Sequence, residues 1–142
     1  MRRLFLDANV LFSAAHKPAS AQGLLIEFAA RVWIEIISSP YAVDEARRNL
    51  KRKSPHSGAA WAKIESTIQL ASEPDHESLA WAGKLVVAKD APILASAARA
   101  KVDWLVTGDR ADFGALFLTT QRGMLVMPPS EAIRRLLDER SD

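Results

Sequence analysis

The chain contains no cysteine, so disulfide bonds, zinc–thiolate centres and thiol catalysis are all excluded, and the composition suits a reducing compartment. Its three histidines, His16, His56 and His76, show neither HxxH nor HxxxH spacing, which argues against a zinc site. Long apolar runs are missing too, and no segment approaches the roughly 20 residues that a membrane-spanning helix needs. Met1-Arg2-Arg3 before Leu4-Phe5-Leu6 has the outline of a secretion signal, but Asp7 and Asn9 interrupt the apolar stretch. The expected location is therefore the cytoplasm, with no membrane partner. No GxGxxG, Walker lysine or GxSxG motif occurs, so nucleotide binding and serine hydrolysis lack their usual devices. The tryptophans and phenylalanines are scattered at core-like positions and are not interleaved with Lys or Arg, so no base-stacking platform is indicated.

What is present fits one globular domain. A chain of 142 residues is long enough for a sizeable core. No internal repeat, low-complexity tract or long linker divides it. Apolar bursts alternate with helical patterns. Leu4–Leu6 reads as a short buried strand, and a helix follows from about Asn9. Ser20 to Arg31 reads as a second helix, and Val32–Ile37 as a β-branched strand. Ser39 and Pro40 supply an N-cap and first position for a helix running to about Lys53. Pro55 and Gly58 break it, and a further helix is expected from Ala59 to Leu70. Helices over about Glu77–Leu85 and Ala91–Ala100, a strand at Trp104–Thr107, a last strand at Met124–Met127 and a closing helix at Pro129–Arg140 complete the pattern. Such alternation predicts an α/β fold with a parallel sheet covered on both faces.

Four acids stand just past predicted strand ends or at the mouths of the helices that follow. Asp7 ends the first strand, Glu45 lies in the segment after the second, Asp90 opens the Ala-rich helix, and Asp109 follows Thr107-Gly108. Ligand crevices in open parallel sheets form at that edge. Carboxylates gathered there repel one another unless a cation lies between them, and a hard oxygen-binding ion, Mg²⁺ or Mn²⁺, suits the donor set. Each acid also has an ordinary reading. Asp7 and Asp90 suit helix caps, and Asp109 with Asp112 suits a capping box. Asp112 is a fifth candidate ligand. Helical spacing does not choose between Asp44 and Glu45, and either alone is commonly a solvated residue.

The net charge is only +2, but neutralising the acids would leave a clearly basic exterior suited to a polyanion. Arg47, Arg48 and Lys51, within a cationic helix segment, and Arg110 beside Asp109 are the candidate phosphate contacts. The ordinary reading of that segment is a solvated helix face.

Taken together, Leu6-Asp7-Ala8-Asn9-Val10-Leu11, Ser38-Ser39-Pro40 with Glu45, Asp90-Ala91-Pro92-Ile93-Leu94-Ala95-Ser96-Ala97 and Leu105-Val106-Thr107-Gly108-Asp109 resemble the PIN-domain family of metal-dependent ribonucleases, which includes VapC-type toxins. The resemblance spans nearly the whole chain. Ala8 departs from the Thr or Ser often found there, and Lys53 to Trp61 matches nothing in the pattern. The resemblance implies a single domain over residues 1–142, a three-layer α/β/α sandwich around a short parallel sheet, and commonly a homodimer. It selects Glu45 over Asp44, and makes Asp7, Glu45, Asp90 and Asp109 the acidic metal site, shaped by Asn9 and Thr107. It further implies cleavage of single-stranded RNA to a 5′-phosphate and a 3′-hydroxyl, and an antitoxin whose tail enters the crevice.

On this reading Asp7 and Asp90 hold the principal ion, Asp109 contributes directly or through water, and Glu45 orients or deprotonates the attacking water or completes a second ion's shell. Two other classes fit the same residues: a metal-dependent phosphatase or phosphotransferase on a similar sheet, weakened by Asn9 where such enzymes place a second Asp, and a catalytically silent PIN-like binding module.

Overall fold

The computed structural model describes residues 1–141. In chain order the elements are β1 (Arg2–Leu6), α1 (Ala8–His16), α2 (Ala21–Ala30), β2 (Ile34–Ser38), α3 (Pro40–Lys53), α4 (Gly58–Glu65), β3 (Ile68–Leu70), α5 (His76–Ala82), α6 (Ala91–Arg99), β4 (Trp104–Val106), α7 (Arg110–Phe113), β5 (Thr120–Gln121), β6 (Met124–Met127) and α8 (Pro129–Arg140). Short 3₁₀ turns at Pro55–Ser57 and Gly114–Leu116 join their neighbours. The strands form one sheet in the order β3-β2-β1-β4-β6-β5, parallel except for the β5–β6 pair. Helices cover both faces, giving the three-layer α/β/α sandwich.

The central strands are short continuous apolar runs because both of their faces are covered. Leu4, Phe5 and Leu6 are fully buried, as are Leu105 and Val106 of β4 and Val126 and Met127 of β6. Each such side chain contributes about 1.5–3 kcal/mol of burial free energy. On one side α1 packs against α2, α3 and α4, and α2 against α8, while α5 pairs with α6. Gly23 lets α2 close on the preceding loop, since a β-carbon there would lie 1.9 Å from the Pro18 carbonyl oxygen. After β1 the chain crosses to β2 and β3 on one side, and β4 lies on the other. That reversal puts a topological switch between the carboxyl ends of β1 and β4.

Ser39 caps α3 by accepting a hydrogen bond from the Ala42 amide, with Pro40 in the first turn, and α3 and α8 have their expected bounds. Other expectations need correction. The helix expected over residues 59–70 ends at Glu65, and Ile68–Leu70 instead pairs with the free edge of β2. A three-residue, largely exposed edge strand carries no alternation that a sequence reading detects. β5 was not expected either; Arg122 (φ 50°) and Gly123 (φ 79°) form the tight two-residue turn that folds it onto β6.

β2 begins two residues later than expected, because Val32 (φ 60°) belongs to the end of α2. The Val32 amide donates to the Ala29 carbonyl and the Trp33 amide to that of Phe28, with the Phe28 and Trp33 rings 5.0 Å apart. This is a Schellman ending whose left-handed position, usually glycine, holds a β-branched residue.

Candidate functional site

At the end of β1 the Asp7 amide extends the ladder by donating to the Val106 carbonyl of β4, 3.1 Å away. The Asp7 side chain is 95% buried, leaving 5% exposed, and it is held by donors alone. Oδ1 accepts from the Ala8 amide at 2.7 Å, and Oδ2 accepts from the Thr107 hydroxyl at 2.8 Å and from Asn9 Nδ2 at 3.2 Å. Burial pushes the Asp7 carboxyl up from its ordinary pKa, with Glu45 and Asp109 adding to the rise, while the Thr107 and Ala8 hydrogen bonds oppose it.

Thr107, fully buried, ties the centre together. Besides donating to Asp7, its Oγ1 accepts from Asn9 Nδ2 at 3.3 Å and from the Asp109 amide at 3.2 Å. Asn9 Oδ1 in turn accepts from the Gly108 amide at 2.8 Å. A β-carbon on residue 108 would sit 3.2 Å from that oxygen, so glycine gives Asn9 room to approach. These bonds join two strand ends and the first turn of α1.

Asp109 caps α7 by accepting from the Asp112 amide at 3.0 Å. Only this half of the capping box forms. The Asp109 amide is taken by Thr107, and the Asp112 carboxylate turns instead to Lys89 Nζ at 3.3 Å and to Asp90. Asp90 occupies the N-cap position of α6 without capping it. Its Oδ2 is buried and has no hydrogen-bond partner. Burial, then the Asp112 carboxyl and the charges of Asp109 and Asp7, push Asp90 up to about 7. Asp112 is held low by its hydrogen bonds with Asp90 and Lys89, so the two carboxyls titrate as a coupled pair.

Asp7, Glu45, Asp90 and Asp109 line one crevice of about 490 Å³ at the switch point, together with Asn9, Ser13, Gln22, Tyr41, Asn49, Lys89 and Gly108. At its edge the lining residues Asp90 and Asp109 group with Asp112, offering one carboxylate oxygen each within 4.8 Å of one another. Asp112, rated fifth from sequence, thus joins Asp90 and Asp109, while Glu45 reaches the crevice from α3 as an exposed side chain. Lys89 is the sole cation among the lining residues. An all-oxygen donor set with an orphaned buried carboxylate oxygen fits a hard divalent cation such as Mg²⁺ or Mn²⁺.

The expected phosphate contacts are distributed differently. Arg47 pairs with Asp44 at 3.1 Å and with Glu65, and lies with Lys51 along a separate groove lined by Leu50, Pro55 and Trp61. Arg110 stacks 5.6 Å over the Phe117 ring, in another hollow. Arg48 is exposed and follows Glu45 by three positions, which puts it on the crevice side of α3.

Sequence reasoning missed Tyr41, Asn49, Ser13, Gln22 and Lys89. For several the signal was there in helical spacing: Tyr41, Glu45 and Asn49 are four apart on α3, and Asn9 and Ser13 are four apart on α1. Among the described residues no helix is long and apolar enough to cross a membrane.

Comparison with known proteins places this arrangement. The fold is similar to that of the crystal structure of PAE2754 from Pyrobaculum aerophilum, with a TM-score of 0.67 and 15% identity over 96% of each chain. It is also similar to VapBC2 from Rickettsia felis, solved bound to a DNA fragment from their promoter, with a TM-score of 0.60 and 14% identity over 89% of this chain and 98% of that one. At such identities the likeness is one of fold. No curated protein matches the sequence. The PIN domain family matches residues 3–111, a span that holds Asp7, Glu45, Asp90 and Asp109. With well over half of its length matched, this chain belongs to the PIN domain family.

Proposed function

We propose that this protein is a Mg²⁺- or Mn²⁺-dependent endoribonuclease that hydrolyses phosphodiester bonds of single-stranded RNA, as the cytoplasmic toxin of a toxin–antitoxin pair. Membership of the PIN domain family supports a nuclease role in general. The observation that carries the finer reading is the convergence of four acids from separate segments on one crevice, with an Asp90 oxygen left unpartnered.

Asp90, Asp109 and Asp112 would hold the ion, with Asp7 fixed beside them by Thr107, Asn9 and the Ala8 amide. When bound, a divalent cation supplies Lewis-acid stabilisation of the charge on the phosphate oxygens. Glu45, exposed at the crevice wall, would take a proton from the attacking water. The water oxygen bonds to phosphorus as the bond to the 3′-oxygen breaks. The 3′-oxygen takes a proton from solvent and leaves as a hydroxyl, and a 5′-phosphate remains on the other fragment. Lys89 and Arg48 are the cations best placed for the RNA backbone, while Arg47, Lys51 and Arg110 would meet more distant phosphates.

The toxin reading draws support from the fold likeness to VapBC2. A homodimer and an antitoxin tail lying in the crevice belong to the same proposal, to be tested by sedimentation and by co-purification from the native host. The deciding experiment incubates purified protein with labelled single-stranded RNA and, separately, with a phosphate monoester, before and after chelation and metal add-back. RNA cleavage restored by Mg²⁺ or Mn²⁺ is expected. Cleavage indifferent to chelation, or turnover of the monoester alone, would overturn the assignment.

A further inference from the structure

Tyr41 is the only tyrosine of the chain and, among the described residues, its only exposed aromatic side chain. It is 46% exposed, while every other aromatic residue is buried or half-buried. Aliphatic side chains are exposed elsewhere, but this exposed ring stands at the lip of the acidic crevice. Its hydroxyl donates to the Lys89 carbonyl at 3.0 Å, which puts the ring within one residue of Asp90 and restrains its orientation. The surrounding wall holds polar groups with unused capacity. Among the described residues, the Gln22 amide and the Ser13 hydroxyl make no side-chain hydrogen bond, and Asn49 uses only its oxygen, accepting from Arg52 at 3.0 Å.

We infer that Tyr41 is a substrate-positioning residue whose ring stacks against the nucleobase next to the phosphate being cleaved, so that a single strand is drawn across the lip with its backbone toward the carboxylates. This inference rests on the nuclease reading and deepens it. A base stacked on an aromatic ring gains affinity whatever its identity, because every base has a π-face. A ring already restrained by its hydroxyl loses little freedom on binding. The requirement also explains a preference for single strands, since a paired base cannot present its face. A purely structural role is the competing account, in which the hydroxyl bond ties α3 to the segment before α6.

Steady-state cleavage of single-stranded RNA by Y41A, Y41F and Y41W separates the two. Stacking predicts that Y41A raises KM roughly 5- to 150-fold while kcat moves far less. Y41F and Y41W keep a ring and stay within about threefold of the unaltered KM. A parallel binding measurement in the D7N background uses uncleaved oligonucleotides in which one abasic site is moved along the strand. One position should weaken binding to the same degree, and Y41A should abolish that positional effect. An unmoved KM in Y41A overturns the inference, and so does a Y41F defect as large as that of Y41A, which would assign the role to the hydroxyl. If the unaltered protein cleaves no RNA, the nuclease reading itself falls; normal cleavage with an indifferent Tyr41 removes only the stacking role.

Discussion

The two ends of the sheet treat charge in opposite ways. At the amino end, acids meet cations: Arg2 pairs with Glu139 at 2.8 Å, Arg3 with Glu35 at 3.3 Å, and the Asp103 carboxylate accepts from the Arg3 amide at 2.8 Å. At the carboxyl end, Asp7, Asp90, Asp109 and Glu45 share one crevice with Asp112 beside it, and Lys89 is the one cation lining it. The amino end is neutralised internally, and the other is left incomplete. Strain is present at both ends but differs in kind. The amino end carries backbone strain at Val32, which local substitution can relieve. The carboxyl end carries electrostatic strain that only protonation or a bound cation relieves.

The sharpest way to break this contrast is Asp7→Asn. RNA cleavage is expected to fall by at least about a hundredfold, with the fold retained. Full activity in that variant would remove the carboxyl end from the chemistry. Next in size is the response to metal. Mg²⁺ or Mn²⁺ at about 100 times its dissociation constant should add about 2.7 kcal/mol of stability, read as a rise in Tm. A Tm indifferent to both ions would mean that the acids form no site.

The pH dependence tests the same electrostatic strain. Asp90, raised to about 7, and Asp7, also raised, are each costly to ionise in the folded state. The Asp90 penalty is fully present above about pH 7 and is relieved as pH falls from there toward the unfolded carboxylate value near 4, and the raised Asp7 carboxyl acts in the same direction. The metal-free protein should therefore be more stable near pH 5 than at pH 8. Asp112, whose carboxyl is lowered, works the other way, and its contribution is lost only in stronger acid. Asp90→Asn should flatten the profile and stabilise the metal-free protein at pH 8 by about 1–2 kcal/mol, allowing for solvent screening of a partly exposed group. A steeper profile in that variant would contradict the account.

At the amino end the effects should be smaller and silent in activity. Val32→Gly removes a side chain from a left-handed position and is expected to add about 1 kcal/mol of stability by denaturant titration, with cleavage unchanged. Smallest of all, Glu139→Gln should cost roughly 0.2–1 kcal/mol, since its pair with Arg2 is solvent-exposed, and that loss should shrink at high salt.

The layered fold was legible because the central strands are unbroken apolar runs and because Ser39-Pro40 and Pro129 mark helix starts in the local sequence. Asp7, Asp90 and Asp109 stood out for the same local reason, as each follows a strand end or opens a helix, whereas Glu45, inside α3, was picked over Asp44 only by the family resemblance. What escaped depends on distant partners. Arg47 is drawn from the crevice side by Glu65, and Asp112 is released from its capping role because Thr107 takes the Asp109 amide. β3 exists only because β2 leaves an edge for three residues to join. Tyr41 could be noticed only once the other aromatic rings were seen to be covered.

The Thr107 hydroxyl has one hydrogen, and it is committed to Asp7, 100 residues away in sequence. Its lone pairs are thereby left facing the Asn9 amide and the Asp109 peptide, so the network has a direction as well as a shape. Valine at this position would copy the outline of the side chain and erase the direction. Two stretches of chain a hundred residues apart would then lose an atom by which they are surveyed against each other.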